Sequence, residues 1–371
     1  MRKKLWGALA GGVGAAATGV AVGATARKRS QIAIQRRQLV TQLTSDGAAP
    51  GTQPSGEPSS VTADDGVRLS CDEIEPAEGR RAALTVVFVH GFALDRRMWH
   101  FQRLTLSEPA EPTVRLVLYD HRSHGRSERA SRESCTIDQL GRDLDAVIRA
   151  LAPDGPLVLV GHSMGGMTIM ALAEQCPELF IERVAGVALF ATSAGEVASA
   201  GLPGTLLSRH HPLTRGVGLL ARLQPKLVAV VRRAASDVIW AITRNYAYGD
   251  RKINPSLVTF VDTMISANAV DALTDFVDTV GSHDRIAALP ALAGCEVLVA
   301  AGDADRVIPF THSEVIAAEL PDATLVRVPG VGHLPMLEQP AVIDAALGGL
   351  LRRSAARRTG GRLIQRLRRR A

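Results

Sequence analysis

Short apolar runs alternate with helical patterns along the middle of this chain. That alternation limits the folds open to it more than any other feature. Leu84–Val89, Val114–Tyr119, Leu157–Val160, Val184–Phe190, Val297–Ala301 and Thr324–Val328 are runs of four to seven residues rich in Val and Leu. Runs of that length suit parallel strands covered on both faces. Val67–Ile74, after the Asp64-Asp65-Gly66 turn, reads as another strand. Helical patterns separate them at Ile137–Leu151, Met164–Gln175, Ser313–Leu320 and Ala341–Leu351. The spacing predicts an α/β fold: an open, mostly parallel sheet with helices on both faces. Between about 195 and 282 the strand pattern stops and helical segments take over, which predicts a helical cap inserted between two strands.

Composition excludes several classes. Apolar residues make up 46% of the chain, so wholesale disorder is ruled out. The four cysteines, Cys71, Cys135, Cys176 and Cys295, are scattered with no CxxC pair, which excludes a zinc ribbon or a disulfide framework and reads as free thiols. The net charge of +6 conceals an uneven distribution. Residues 1–37 carry eight Lys/Arg and residues 351–371 nine Arg, with no acid in either, so the body between them holds 26 bases against 37 acids. A polyanionic substrate is therefore not expected for the body.

The ends speak about location. Leu5–Ala26 is 22 residues without a charge, long enough to span a bilayer core of about 30 Å, yet it contains eight Ala and six Gly. Three readings stay open: a membrane anchor with GxxxG spacing at Gly7/Gly11 and Gly19/Gly23, a signal peptide cleaved near Ala26, or a surface-lying or flexible segment. Arg27-Lys28-Arg29 opposes translocation and favours a body on the cytoplasmic side of a membrane; the signal reading implies export instead. Gly12-Val13-Gly14-Ala15-Ala16-Ala17 matches a GxGxxA pattern but follows no strand, so dinucleotide binding is rejected. Residues 38–60 read as a linker, Gly/Pro/Ser-rich from residue 44, before a domain over 61–350. The Arg tail after Leu351 suits anionic lipid, or a solvated helix end, better than nucleic acid, because it lacks aromatics for base stacking.

In sheets of this kind ligands sit beyond the carboxyl ends of the strands. The chemically suspicious residues fall there. Gly161-His162-Ser163-Met164-Gly165 follows one strand and opens a helix. A sharp strand-to-helix turn would lift the Ser163 hydroxyl above the sheet, and Gly161 and Gly165 leave room for it. A serine needs a base, and His333, in the loop after the last strand, is the candidate. Asp305, in Gly302-Asp303-Ala304-Asp305, is the candidate acid to orient that imidazole, with Asp303 the runner-up as a turn residue. The amides of Met164 and Phe92 are the candidate oxyanion donors, with Gly91 freeing the second to turn inwards. His90 is read as a loop-fixing hydrogen-bonder and His162 as a wall residue. His121 and His124 complete no metal-ligand cluster, and His210-His211 are too close along the chain to face one site, so neither a metal nor a cofactor is expected.

His90-Gly91-Phe92, Asp120-His121-Arg122-Ser123-His124-Gly125-Arg126-Ser127, Gly161–Gly165, Asp305 and His333 together resemble the α/β-hydrolase superfamily over roughly residues 61–350. The resemblance implies an eight-stranded sheet with a cap and a covalent acyl-enzyme that water hydrolyses. Members often have Asp-x-Arg-Gly-x-Gly-x-Ser; here Ser123 stands at the first glycine. The expected activity is hydrolysis of an ester or related acyl bond in a small molecule, lipid-like if the apolar cap lines an acyl pocket. Open alternatives are an amidase, thioesterase, C–C hydrolase or cofactor-free haloperoxidase on the same residues, or an inactive membrane-tethered binding protein.

Overall fold

The computed structural model describes residues 57–76, 80–196, 243–250 and 252–368. The candidate anchor at 5–26, most of the linker, cap residues 197–242 and His210-His211 lie outside the described residues. The strands are β1 (Glu57–Thr62), β2 (Arg68–Ile74), β3 (Leu84–Val89), β4 (Val114–Tyr119), β5 (Leu157–His162), β6 (Val184–Phe190), β7 (Glu296–Gly302) and β8 (Thr324–Val328). The α-helices are α1 (His100–Ser107), α2 (Ile137–Leu151), α3 (Met164–Gln175), α4 (Pro177–Glu182), α5 (Pro255–Ala267), α6 (Val270–Gly281), α7 (Thr311–Glu319), α8 (Pro335–Glu338) and α9 (Pro340–Arg368). They build one eight-stranded sheet in the order β1-β2-β4-β3-β5-β6-β7-β8. β1–β2 and β2–β4 pair antiparallel; β4–β3, β3–β5, β5–β6, β6–β7 and β7–β8 pair parallel.

Every residue of β3, β5 and β6 is buried, which is why these strands read as continuous apolar runs rather than alternating ones. One face packs Phe88, Trp99, Phe190 and Tyr248 with Ile343, Leu347 and Leu350 of α9. The other packs Val87, Leu159 and Val187 with Leu144, Val147 and Ile148 of α2 and Ile169, Met170 and Leu172 of α3. Each fully buried Leu or Phe contributes roughly 2 kcal/mol by transfer from water. α2 begins where Thr136 Oγ1 accepts the Gln139 amide at 3.1 Å, a side-chain cap.

The structure moves two boundaries. β1 starts at Glu57, inside the span read as linker to residue 60. Its Pro and Ser content suits an edge strand, where a missing N–H costs nothing on the open side, and the pairing Pro58↔Asp72 holds it to β2. At the other end α9 runs unbroken through Arg368 rather than stopping at Leu351. Ser354 is fully buried, and Arg353 and Arg357 reach Glu296 on β7, so the start of the Arg tail belongs to the domain. The charge run that reads as solvated there is one face of a helix whose other face is packed. In the block predicted as a cap, the described part is helical, and Leu257, Val258, Phe260 and Val261 of α5 join the sheet-side core. Among the described residues no helix is long and apolar enough to cross a membrane.

Candidate active site

β5 delivers Ser163 at its carboxyl end. The serine adopts φ 52°, ψ −119°, a left-handed conformation that costs of order 1–3 kcal/mol for a side chain with a Cβ. Neighbouring backbone enforces it. Ser163 donates its amide to Phe190 O at 2.9 Å, and its carbonyl accepts the Gly166 amide at 2.9 Å and the Thr192 hydroxyl at 2.7 Å. The glycines are steric requirements. A Cβ on Gly165 would lie 2.1 Å from Val89 O, one on Gly161 2.7 Å from the Gly165 carbonyl, and one on Gly166 2.6 Å from Thr192 Oγ1.

The other two candidates arrive from different strands. Asp305 follows β7. Its Oδ1 accepts the Val307 and Ile308 amides at 2.8 and 2.9 Å, which fixes the carboxylate plane. Its Oδ2 lies 2.8 Å from His333 Nδ1, and His333 Nε2 lies 3.0 Å from Ser163 Oγ. With Oδ2 accepting from Nδ1–H, the bare Nε2 faces the hydroxyl, the tautomer a general base needs. Ser163 and His333 each keep 8% exposure, so a reacting carbonyl has an approach to an otherwise buried pair. Asp303 stands apart: its Oδ1 accepts the Gly330 amide at 2.7 Å and ties the loop after β7 to the one after β8.

The loop after β3 lies against the serine. A Cβ on Gly91 would sit 2.5 Å from His162 Nδ1 and 3.2 Å from Ser163 Cβ, so only glycine lets this backbone approach. Among the described residues, neither the Phe92 nor the Met164 amide has a hydrogen-bond acceptor. His90 accepts the His121 amide at Nε2 (2.9 Å), so its proton sits on Nδ1 and is donated to Gly91 O at 2.8 Å. Burial drives His90 down to about 4, and it stays neutral. His162 donates from Nε2 to His333 O at 2.8 Å and is pushed well below the usual range, first by burial and then by His333.

The loop after β4 braces the site from behind. Asp120 accepts the Arg96 and Arg126 amides at 2.8 and 2.9 Å and pairs with the Arg96 guanidinium. Burial lifts its carboxyl to about 6 against the pull of Arg96. Ser123 has φ 63°, the backbone region that favours glycine, and its Oγ accepts from Arg129 at 2.9 Å and the Ala130 amide at 3.0 Å. A cavity of about 370 Å³ lies beside this loop, lined by Asp72, Asp95, Arg96, Arg97 and Arg103 among others; none of Ser163, His333 or Asp305 lines it. Met164, which follows the serine, is buried in one apolar cluster with Met167, Ile308 and Phe276, with Phe92 and Val307 packed on it. Among the described residues no group of His, Cys, Asp and Glu could hold a metal ion.

Sequence reasoning missed three contributors. Thr192 caps the Ser163 carbonyl, Ala247 O accepts the His333 amide at 2.8 Å, and Glu338 accepts the Gly332 amide at 2.7 Å. Only Glu338 left a signal, a carboxylate standing alone in an apolar stretch five residues after His333.

A parallel sheet with a strained serine turn at β5, and an acid and an imidazole in the loops after β7 and β8, defines the α/β-hydrolase class. The model of the alpha/beta hydrolase family matches residues 86–346, and the chain belongs to that family. A Caulobacter sp. (strain K31) protein named for carbamate hydrolysis, RutD, is 27% identical over 284 residues, 76% of this chain and 94% of its own. The sn-1-specific diacylglycerol lipase ABHD11 of Mus musculus is 24% identical over 269 residues, 71% of this chain and 79% of its own. A solved thermophilic esterase from Thermogutta terrifontis matches with a TM-score of 0.62 and 24% identity, covering 81% of this chain and 100% of that one.

Proposed function

We propose that this protein is a serine hydrolase that cleaves an ester or related acyl bond. The observation that carries the reading is the unbroken line of contacts from Ser163 Oγ to His333 Nε2 and from His333 Nδ1 to Asp305 Oδ2, 3.0 and 2.8 Å long. Ser163 Oγ attacks the substrate carbonyl while His333 takes its proton. Asp305 stabilises the imidazolium and holds its orientation. The charge that builds on the carbonyl oxygen is met by the Phe92 and Met164 amides, aided by the positive end of α3. His333 then gives its proton to the leaving oxygen, which departs and leaves the acyl group on Ser163. A water, deprotonated by His333, attacks that ester; the acid leaves and Ser163 regains its proton.

An apolar acyl moiety fits this reading, because Met164, next to the serine, belongs to an apolar cluster with Phe92, Met167, Phe276 and Ile308. The names of the lipase and the esterase among its relatives agree with it. The basic ends favour attachment to an anionic membrane surface, with residues 5–26 as a second contact, and flotation of the full chain with anionic against neutral vesicles tests that part. Duplex DNA in the same salt series tests nucleic-acid binding by the Arg tail.

The test of the chemistry is labelling with a fluorophosphonate probe, followed by turnover of p-nitrophenyl esters of increasing chain length. We expect labelling in the wild-type chain, none in Ser163→Ala, and turnover that falls in parallel. A wild-type chain that takes no label and hydrolyses no ester overturns the reading and leaves the binding-protein alternative.

A further inference from the structure

Three backbone amides from two distant segments converge on one carboxylate beside the candidate base. Glu338, the last residue of α8, accepts the Gly332 amide through Oε1 at 2.7 Å. Its Oε2 accepts the Gly249 amide at 2.9 Å and the Asp250 amide at 3.4 Å. Gly332 immediately precedes His333, whereas Gly249 and Asp250 belong to the block inserted between β6 and β7. The two segments touch with no side chain between them. A Cβ on Gly249 would lie 2.2 Å from Gly330 O, and one on Gly332 2.5 Å from Gly249 N. The contact continues one residue further, where the His333 amide donates to Ala247 O at 2.8 Å.

We infer that Glu338 is a positioning residue for His333: it clamps the backbone on the amino side of the imidazole to the Ala247–Asp250 segment, so that Nε2 stays within reach of Ser163 Oγ. This inference rests on the serine-hydrolase reading above. The clamp is needed because the His333 ring is held at its two nitrogens by Asp305 and Ser163 and packs against His162, and these contacts do not fix the backbone that precedes it. The loop carrying it has two glycines, Gly330 and Gly332, and so little intrinsic stiffness. A carboxylate is the side chain that can accept from both segments at once, since each oxygen offers two lone pairs. Desolvation lifts its carboxyl to about 6, while the Gly332, Gly249 and Asp250 amides pull it back. Glutamine in its place could still accept from Gly332, but its NH₂ would oppose the Gly249 and Asp250 donors.

The test compares Glu338→Gln and Glu338→Ala with the wild-type chain, titrating intact sites with a fluorophosphonate and measuring kcat per titrated site on a short p-nitrophenyl ester. The Gln variant keeps the experiment open if the Ala variant fails to fold. We expect kcat per titrated site to fall about 10- to 100-fold in Ala, as for a base displaced by of order 1 Å. The Gln variant should fall between it and the wild type, and KM should stay within about twofold. A merely structural role predicts something else: fewer titratable sites, each turning over at the wild-type rate. That result, or unchanged kcat in both variants, overturns the inference. The wild-type and Ser163→Ala arms report separately on the serine-hydrolase reading, and its failure there would remove both.

Discussion

The candidate nucleophile and the candidate base are held in opposite ways. Around Ser163 the geometry is set by what is missing: Gly161, Gly165, Gly166 and Gly91 let four pieces of backbone approach where any Cβ would collide. Around His333 it is set by what is present: Asp303, Asp305 and Glu338 each accept main-chain amides and pin a loop. The first arrangement is local, since the turn and most of its glycines lie within six residues. The second is assembled from loops after β7 and β8 and from a segment of the insertion. Close packing makes the turn stiff but intolerant of added atoms. Carboxylate clamps tolerate neighbouring changes but depend on charge and hydrogen bonding.

The largest effect expected from breaking this comparison is at the serine itself. Ser163→Ala should lower kcat by roughly 10⁶-fold with little change in melting temperature, read by ester turnover and thermal unfolding. Asp305→Asn should lower kcat roughly 10³- to 10⁴-fold, because the amide favours the wrong imidazole tautomer; Asp303→Asn should leave kcat within about twofold. If both aspartates mattered equally, the division of labour between them would be wrong. Gly165→Ala should cost about 3 kcal/mol or prevent folding, measured by urea unfolding, because the Val89 carbonyl cannot move aside without disturbing β3.

Acid should load the buried imidazoles and the buried carboxyls in opposite directions. His90 and His124 are held down to about 4 and 3 by burial, and His121 and His162 also lie well below their usual value. The unfolded chain therefore binds more protons than the folded one below about pH 6.5, and the stability these neutral rings contribute is lost as pH falls. Asp120 and Glu338, lifted to about 6, act oppositely and gain stability on acidification. Four imidazoles outweigh two carboxyls, so the melting temperature should be lower at pH 5 than at pH 7, and an equal or higher value would contradict the burial argument. The smallest effect is at Ser123. Ser123→Gly relieves about 1 kcal/mol of left-handed strain but loses the bonds from Arg129 and Ala130, leaving stability within about 1 kcal/mol of wild type by urea unfolding.

The same contrast explains what could be read from the sequence. The sheet, the serine turn and the two loops with Asp305 and His333 were legible because each is announced by a contiguous pattern: an apolar run, then glycines or a turn, then a helix. β1 was not, because Glu57–Thr62 owes its strand state to pairing with β2 and not to its own composition. Neither was the burial of the start of the Arg tail, since Ser354 is buried against β6, where a Cβ on Gly186 would lie 2.3 Å from its Oγ. Glu338 was hidden for a related reason. Its partners are amides 6 to 89 residues away, and main-chain amides carry no sequence signature.

The bare contact between Gly249 and Gly332 has a practical meaning for anyone wishing to exchange specificity among such enzymes. The seam along which an insertion can be lifted out is not where the strand pattern resumes. Residues 247–250 are packed on and hydrogen-bonded to the loop that carries His333, so a graft that keeps them with the host should stay functional. One that imports them must also bring a residue without a side chain at position 249 and a carboxylate able to receive it.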